Sequence, residues 1–576
     1  MKPAIISDLF STTATPGITL NPGGGSTYMD VPSTRRLGWG GIAVVLTLAL
    51  PSALALPSAQ SRTQKSEPVQ GVAQAPRSDV ADLDAVARIK EEGLQRSQVM
   101  DTLWYLTDVH GPRLTNSPAI RAAAAWAEGR LRDWGVTNVR EETWGPFGRG
   151  WANDRIAANV LMPQPFPLLA APRAWTPGTE GPVKADVVVT AIRTEADFAA
   201  WTGKLSGKVV LNNPAVDVRM VTAPLGRRFT DQELVDIQAQ QVNPGRGRGA
   251  RAGGPPPDPG FRDKLTAFFA KEGVVATLEP GTGRNDHSAI LVHNAPATYW
   301  STTPPMMTPQ LIVASEQYNR ILRLVDGKVP VQVELDIRNR FVGDTLDAFN
   351  LVAELPGTDK AAEAVMLGAH FDSWHSGTGA TDNAAGSAVM MEVMRLLKAS
   401  GLRLRRTVRL ALWTGEEQGL LGSRAYVKQR FADRDTMALL PEHARLSGYF
   451  NMDNGGGALR GIFLQGNEAV RPVFAAWMEP FRSLGMTTLA MRNTGSTDHV
   501  AFDEVGLPGF QFIQDPLEYG TDSHHSNNDV YDRIQPEDLM KNAVIIASFV
   551  YHTANRDELL PRKPLPRPRP RPAGTQ

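Results

Sequence analysis

From Val329 onward, nearly continuous apolar runs alternate with segments of helical spacing, and this alternation limits the folds open to the chain. Examples are NLVAEL at 350–355, AVMLGAH at 364–370 and TVRLALWT at 407–414. A strand that is apolar on both faces must be buried on both faces. The pattern therefore predicts an α/β fold, with a mostly parallel mixed sheet covered by helices on both faces.

The chain has 576 residues, more than one hydrophobic core usually serves, so we expect two folded domains. Between residues 163 and 326, short β-like runs such as ADVVVTAI, GKVVLNN and VVATLE alternate with turns. This region is predicted to be a β-rich domain inserted into a larger one, whose parts are residues 80–162 and 327–560. The Gly/Pro/Arg-rich stretch Asn243–Gly260 within the insert is predicted to be a mobile surface loop.

The amino terminus is typical of an export signal. Arg35 and Arg36 precede an apolar run that ends in small residues, so we assign residues 1–59 to a terminal extension and signal peptide, with a possible start at Met29. The alternative is an uncleaved membrane anchor formed by residues 37–56, a length that is just sufficient to span a bilayer. We expect an exported protein, periplasmic or secreted, that contacts a membrane only if this segment stays attached.

Two other terminal segments look unable to form a core. Residues 60–79 are polar and predicted to be a linker, and the Pro/Arg-rich residues 561–576 are predicted to be a disordered tail. The formal net charge is zero, and no aromatic residues lie between the arginines of Asn243–Gly260. Both facts argue against nucleic acid as a partner.

Metal-binding side chains follow one strand after another in the second half of the chain. An isolated pair such as Glu416–Glu417 would ordinarily be a solvated loop, but here each of several successive strands ends beside such a residue. Since ligands of parallel sheets gather at the carboxyl ends of the strands, we expect these side chains to converge. They are His370, Asp372, Asp382, Glu416, Glu417, Asp453, His524 and His525.

The chain contains no cysteine, so a metal would be held by His, Asp and Glu alone. This donor set favours zinc, with cobalt or manganese as possible substitutes. Two histidines and three carboxylates exceed the needs of one tetrahedral zinc ion and suit two metals that share a bridging carboxylate. Asp382, at a predicted helix start between the other ligands in sequence, is the candidate bridge.

Five motifs in this order resemble those of the M28 family of co-catalytic zinc peptidases, which contains aminopeptidases and the plasma glutamate carboxypeptidase group. They are GAHFDS…GATDNAAG, GEEQGLLGS, NMDN, STDHVAF and HHSNNDVYD, and a weaker match covers residues 108–135. The resemblance implies two Zn²⁺ ions, one bound by His370 and Asp453, the other by Glu417 and His525, with Asp382 bridging both.

The same resemblance implies that Glu416 is the general base and that Asp372 accepts the second ring N–H of His370. His525 is preferred over His524 because the family pattern places the ligand directly before Ser or Thr. His375 and His499 are candidates for contacts with substrate or an oxyanion and equally for polar residues at the rim, and Asp498 is a candidate for support of the site through hydrogen bonds. The other histidines have no such surroundings and are predicted to be surface or core residues: His110, His287, His293, His443 and His552.

The insert resembles the protease-associated domain found in many of these peptidases. The function predicted from the resemblance is an exported dinuclear zinc exopeptidase acting on peptides, an aminopeptidase in the first instance. A carboxypeptidase or dipeptidase on the same scaffold would need a cation for the substrate carboxylate, and Arg492 is one candidate. A glutaminyl cyclase-like transferase and a non-catalytic receptor-like relative are further alternatives, although every expected ligand position is occupied.

Overall fold

The computed structural model describes residues 79–240, 259–281, 289–292, 295–343 and 345–569. The predicted signal segment, linker, most of the Gly/Pro/Arg-rich loop, His287 and His293 lie outside these residues. The strands, in chain order, are β1 (Thr137–Trp144), β2 (Gly150–Met162), β3 (Phe166–Pro167), β4 (Ala170–Pro172), β5 (Val183–Val189), β6 (Val209–Leu211), β7 (Ala276–Pro280), β8 (Gln310–Val313), β9 (Gln332–Val342), β10 (Ala348–Leu355), β11 (Lys360–His370), β12 (Arg406–Trp413), β13 (Leu446–Asn451), β14 (Leu459–Phe463), β15 (Thr488–Ala490) and β16 (Gly509–Gln514).

The helices surround and connect these strands. They are α1 (Leu83–Gln95), α2 (Val99–Trp104), α3 (Pro118–Asp133), α4 (Phe198–Trp201), α5 (Asp231–Ala239), α6 (Pro259–Lys271), α7 (Ala297–Trp300), α8 (Ser315–Asp326), α9 (Ala385–Ala399), α10 (Leu421–Arg430), α11 (Arg471–Met478), α12 (His499–Asp503) and α13 (Pro536–Asn555). Local signals set several ends. Ser117 caps α3 by accepting from the Ile120 amide, and Gly135, at φ 76°, follows its last turn.

The first sheet has eight strands in the order β1-β10-β12-β11-β13-β16-β14-β15. Its central strands β12, β11, β13 and β16 are parallel, while β1, β10 and β14 add antiparallel pairs. This confirms the predicted mostly parallel mixed sheet. The carboxyl ends of the four central strands meet at one edge, which is where the candidate ligands are found.

Both faces of this sheet are covered, as the apolar runs predict. Alternate residues of β11 enter different cores: Val365 and Leu367 pack in the large cluster that includes α9 and α13, whereas Met366 packs with Tyr426 of α10. Phe450 of β13 is fully buried and contacts aromatic rings from three elements, β16, α11 and α13. Period-2 burial on both faces explains why these strands contain so few polar residues.

The second sheet also has eight strands, in the order β3-β2-β9-β5-β6-β7-β8-β4. Its longest pair joins Gly150 with Val342 and continues along β2 and β9. The strands of this sheet extend from Gly150 to Val342, beyond the predicted limits of 163 and 326. We call residues 150–342 the insert and the rest of the described chain the peptidase domain, after the family that its motifs resemble.

An aromatic cluster joins the insert to the peptidase domain. Trp374, shortly after β11, and Trp144 of β1 pack in the same buried cluster as Trp300 and Trp175 of the insert. His375 donates from Nε2 to the Pro172 carbonyl at 2.7 Å and lies edge-on to Trp151. Large buried rings of this kind fix the two parts against each other.

The end of the chain differs from its prediction over the residues that the structure describes. Arg562 donates to the carbonyls of His443 (2.8 Å) and Leu446 (2.7 Å), and Lys563 pairs with Asp503 at 2.5 Å. Residues 561–569 thus lie against the peptidase domain, because buried carbonyls and a carboxylate there accept from the tail's basic side chains. Residues 570–576 lie outside the described chain.

Among the described residues, no helix combines the length and the apolar character that crossing a membrane requires. The candidate anchor at residues 37–56 lies outside them, so the choice between a cleaved signal and an anchor stays a prediction.

Replacing Phe450 with alanine is expected to lower the free energy of unfolding by about 3–5 kcal/mol, because the cavity would open among four aromatic rings. Urea unfolding followed by fluorescence and circular dichroism measures the change. Met220→Ala is the control, since Met220 is 84% exposed and its loss should change the free energy by no more than about 0.5 kcal/mol. Equal midpoints for the two variants would contradict the packing described above.

Candidate metal centre

The candidate ligands meet at the carboxyl edge of the central parallel strands. His370 is the last residue of β11, Glu417 follows β12, and Asp453 follows β13. Asp382 lies in a short helical segment, Ala380–Ala384, ahead of α9, and His525 lies on the loop after β16. All five predicted ligands are brought together, as the placement of the strand ends required.

Asp382 stands between the two histidines. Its Oδ1 lies 3.0 Å from Nε2 of His370, and its Oδ2 lies 3.0 Å from Nε2 of His525. Each oxygen of one carboxylate therefore faces a different imidazole. This is the arrangement that a carboxylate bridging two cations would have.

Each histidine also has a second carboxylate beside it, which divides the candidate site into a His370 half and a His525 half. Asp453 Oδ1 lies 3.5 Å from His370 Nε2, and Glu417 Oε2 lies 2.9 Å from His525 Nε2. One potential ligand atom each from His370, Asp382 and Glu417 falls within 4.8 Å of the others. Oε1 of Glu417 is buried and accepts no hydrogen bond. A buried, unpaired carboxylate oxygen within such a donor set fits a divalent cation.

The two adjacent glutamates face different surroundings. Within the described residues, a histidine forms an ion pair with Glu417, but none does so with Glu416. Both side chains line the same cleft. The turn after β12 thus places the Glu417 carboxylate beside His525 and leaves the Glu416 carboxylate facing the cleft.

Burial makes this acidic cluster costly to ionise without a cation. Burial raises the pKa of Glu417 to about 7 and that of Glu416 well above its usual range. Burial lowers the pKa of His525, but the nearby Glu417 and Asp382 raise it more strongly, to about 10. In the absence of metal the cluster would hold protons, and a bound cation would displace them.

Asp529 holds the segment that carries Asp382. Its two oxygens accept from the backbone amides of Thr381 (2.5 Å) and Asp382 (3.2 Å). Sequence analysis quoted Asp529 within the motif HHSNNDVYD but gave it no role. Its position four residues after His525 was the available signal.

Arg113 is a second residue that sequence analysis missed. Its buried guanidinium donates to four backbone carbonyls, which belong to Leu106, Phe371, Thr378 and Gly379. Phe371 follows His370, and Gly379 precedes the segment of Asp382. One cation therefore fixes the two loops that carry these ligands, and its charge lies near the buried acids.

Asp372 plays a different part from the one predicted. Nδ1 of His370 lies 2.9 Å from the backbone carbonyl of Asp372 but 3.8 Å from its carboxylate. The carboxylate instead accepts from Thr115 and, at 3.3 Å, from the amides of Glu416 and Glu417. The chain turns after His370, so the nearer carbonyl takes the ring nitrogen and the side chain orders the neighbouring loop.

The remaining candidates separate into those at the cleft and those away from it. His524 lines the cleft, with Nε2 3.5 Å from Asp382 Oδ2. His499 is buried and bonds to Gln465 and Thr494, so it and His375 are not placed for the substrate contacts predicted for them. Asp498 is buried, and burial raises its pKa to about 7.

The histidines predicted to lie outside the site do so wherever the structure describes them. His552 accepts from the Asp82 amide, His443 bonds to the Val505 carbonyl, and His110 packs near Trp126.

A cleft of about 1210 Å³ opens onto the ligands. Its acidic end is formed by Asp382, Glu416, Glu417 and Asp453. Trp300 of the insert and Trp374 of the peptidase domain provide apolar walls, and Arg424 of α10 adds a guanidinium. Tyr519, which sequence analysis did not single out, also lines it, with its ring 4.6 Å from that of His524.

Comparison with known proteins identifies the chain. Residues 350–550 match the family model described as Peptidase family M28, over the region that carries all five candidate ligands. This region of the peptidase domain belongs to peptidase family M28. The protein is accordingly a metallopeptidase, a hydrolase of peptide bonds.

Relatives extend the likeness beyond the M28 domain. Carboxypeptidase Q of Mus musculus is 26% identical over 480 residues, 83% of this chain and 90% of that protein. A probable leucine aminopeptidase of Arthroderma otae is 25% identical over 213 residues, 35% of this chain and 57% of that protein. The crystal structure of a Peptidase M28 precursor from Shewanella amazonensis SB2B shares the fold, with a TM-score of 0.57 and 24% identity over 84% of this chain and 98% of that one.

Added zinc is expected to stabilise the chelator-treated protein, since a ligand that binds only the folded state at 100 times its Kd contributes about 2.7 kcal/mol per site. Thermal unfolding with and without zinc measures the shift. Asp382→Ala should lose most of it because both halves of the site share this residue. His110→Gln, a histidine outside the site, should retain it. A full zinc shift in Asp382→Ala would refute the shared-carboxylate arrangement.

Proposed function

We propose that the protein is an exopeptidase with two zinc ions, one held by His370 and Asp453 and the other by Glu417 and His525, with Asp382 between them. The observation that carries this proposal is the division of the Asp382 carboxylate between two histidines. A cysteine-free set of imidazoles and carboxylates supports zinc, with cobalt or manganese as substitutes.

The ions would supply Lewis acidity, which makes water acidic and polarises a peptide carbonyl. Glu416 faces the cleft without a histidine partner and is placed to accept a proton and to return it to the leaving amine. The Asp372 carboxylate accepts from the backbone amides of Glu416 and Glu417, which restrains the orientation of both glutamates. Trp300 and Trp374 line the same cleft.

We propose removal of amino-terminal residues as the main activity. The ligand end of the cleft is lined by four carboxylates, which would attract the α-ammonium group of a peptide. The adjoining tryptophan walls suit an apolar first side chain. The name of the Arthroderma otae relative, a probable leucine aminopeptidase, agrees with this direction.

A carboxypeptidase or dipeptidase is the second candidate, and Arg424 favours it. Arg424 lines the same cleft, and a guanidinium can hold a terminal carboxylate through two hydrogen bonds. Arg424 also donates to the Gly419 carbonyl at 2.9 Å and lies 3.8 Å from Glu504. Arg492, the cation suggested by the sequence, instead donates to Gln240 and lies over the Phe463 ring. The name of carboxypeptidase Q agrees with this candidate.

Two wider features belong to the proposal. The sequence of residues 1–59 favours export to the periplasm or beyond. The insert is proposed to be a domain of the protease-associated type that limits substrate size. The placement of Trp300 in the cleft wall is the observation in favour of this role for the insert.

Glu416→Gln is expected to lower kcat by about 10²–10⁴-fold while leaving the zinc content unchanged, because the amide cannot accept the proton. Steady-state kinetics and elemental analysis on the same preparation measure the two quantities. Gln418→Ala, in the same turn, is the control. Retained activity in Glu416→Gln would remove Glu416 from the base role.

Peptides with free or acetylated amino termini, crossed with free or amidated carboxyl termini, should separate the two candidate activities. We expect stepwise loss from every free amino terminus, detected by mass spectrometry and stopped by a chelator. If carboxylate recognition operates instead, amidation should block cleavage, and Arg424→Met should raise KM about tenfold or more for free-acid peptides only. Arg492→Met is the matched control. No turnover of any peptide by zinc-loaded protein would exclude both activities.

A further inference from the structure

The loop that carries His525 is held between two separate segments of the insert. This loop, residues 515–529 and here called the His525 loop, also carries Tyr519, His524 and Asp529. On one side it meets residues 290–292 of the insert, and on the other it meets residues 225–229. The insert therefore contacts the backbone of the candidate metal centre, and its residue Trp300 also lines the cleft.

The first segment bonds to the ligand residue itself. The Val292 amide donates to the His525 carbonyl at 3.0 Å, and Leu291 pairs with Ser526 in an antiparallel bridge. The Ile290 amide donates to Oδ1 of Asn527 at 2.6 Å. Ile290 and Val292 are buried in the aromatic cluster, so this segment is itself firmly anchored.

The second segment holds the opposite end of the loop. The Arg227 amide donates to the Leu517 carbonyl at 3.2 Å, and Thr521 donates its hydroxyl to the Leu225 carbonyl at 2.7 Å. Arg228 forms ion pairs with buried Asp515 at 3.0 Å and with Asp538 of α13 at 2.8 Å, and the Phe229 amide donates to the Asp515 carboxylate at 2.9 Å.

The two backbone hydrogen bonds donated by the insert are accepted by the two residues of the loop other than glycine that have positive φ angles. His525 has φ 61° and Leu517 has φ 42°, the left-handed region that residues other than glycine seldom occupy. Such a conformation persists only where the surroundings enforce it. Here the enforcing donors at both positions, Val292 and Arg227, belong to the insert. The peptidase domain adds the Ser376 hydroxyl, which donates to the His525 carbonyl at 3.4 Å, and Arg460, which pairs with Asp515 at 3.0 Å.

We propose that the insert is a positioning element of the metal centre, which fixes the backbone of His525 and so sets the metal affinity of the Glu417–His525 half. This inference rests on the proposed metal ligands. His370 and Asp453 are placed by β11 and β13 of the first sheet, so the other half does not depend on the insert in this way. Val292 and Arg228 are the positioning residues through which the effect can be tested.

Zinc titration of the full-length, chelator-treated protein against a chromophoric chelator provides the test. Val292→Pro removes the amide hydrogen that bonds to His525. We expect one of two zinc equivalents to bind about 10–100-fold more weakly, as is usual when support of a ligand is lost, while the other keeps its affinity. Val292→Ala, which keeps the amide, should titrate like the wild type.

A second pair of variants keeps the test decisive if Val292→Pro does not fold. Arg228 is 46% exposed in its side chain, so Arg228→Met should fold, and it should weaken the same single equivalent and speed hydrogen exchange in residues 515–529. Arg227→Met is matched to it, because within the described chain the Arg227 side chain forms an ion pair only with exposed Glu233, and its amide is retained. Wild-type titration of both equivalents in Arg228→Met and in any folded Val292→Pro would overturn the proposal.

His525→Ala in the same titration separates this inference from the proposed function. It should lose one equivalent outright. If His525→Ala binds two equivalents normally, the ligand assignment fails. If it loses one while the insert variants do not, only the positioning role fails.

Discussion

The two oxygens of Asp382 face two histidines that reach the site from distant parts of the chain, and the rest of the centre is arranged around this division. A carboxylate is rigid, so satisfying both imidazoles requires the backbone on either side to be held in place. Asp529 holds the Asp382 segment through two amides, and Arg113 joins that segment to the loop after His370. His525 needs equal restraint, and there the insert provides it.

The same constraint explains the electrostatics of the site. Several carboxylates are buried within a few ångströms, where ionisation without a countercharge is unfavourable. Arg113 offsets part of this charge, and a divalent cation would offset more. The absence of cysteine gives the donor set its oxygen- and nitrogen-only character, which is compatible with a hydrolytic metal rather than a thiolate-bound structural one.

Prediction from sequence succeeded where burial on both faces left a clear pattern. The strands β10, β11 and β12 were anticipated, because each is a nearly continuous apolar run. Strands β1, β14 and β15 were missed: β1 is a largely exposed edge strand with a weak pattern, and β14 and β15 are buried but span only 5 and 3 residues. The pairing of β2 with β9 was not predicted, because a pairing of such sequence separation leaves no local signal.

The sequence by itself determined the α/β class, the zinc-compatible donor types and the positions of the five candidate ligands, because strand ends and metal-binding side chains are local features of the chain. Tertiary structure alone decided which groups touch. It turned the carboxylate of Asp372 toward the Glu416 and Glu417 amides and gave His370 a backbone carbonyl instead. It also placed Arg424 rather than Arg492 at the cleft, and it set Val292 of the insert against His525. Such contacts depend on the relative placement of elements far apart in sequence, and no local pattern encodes that placement.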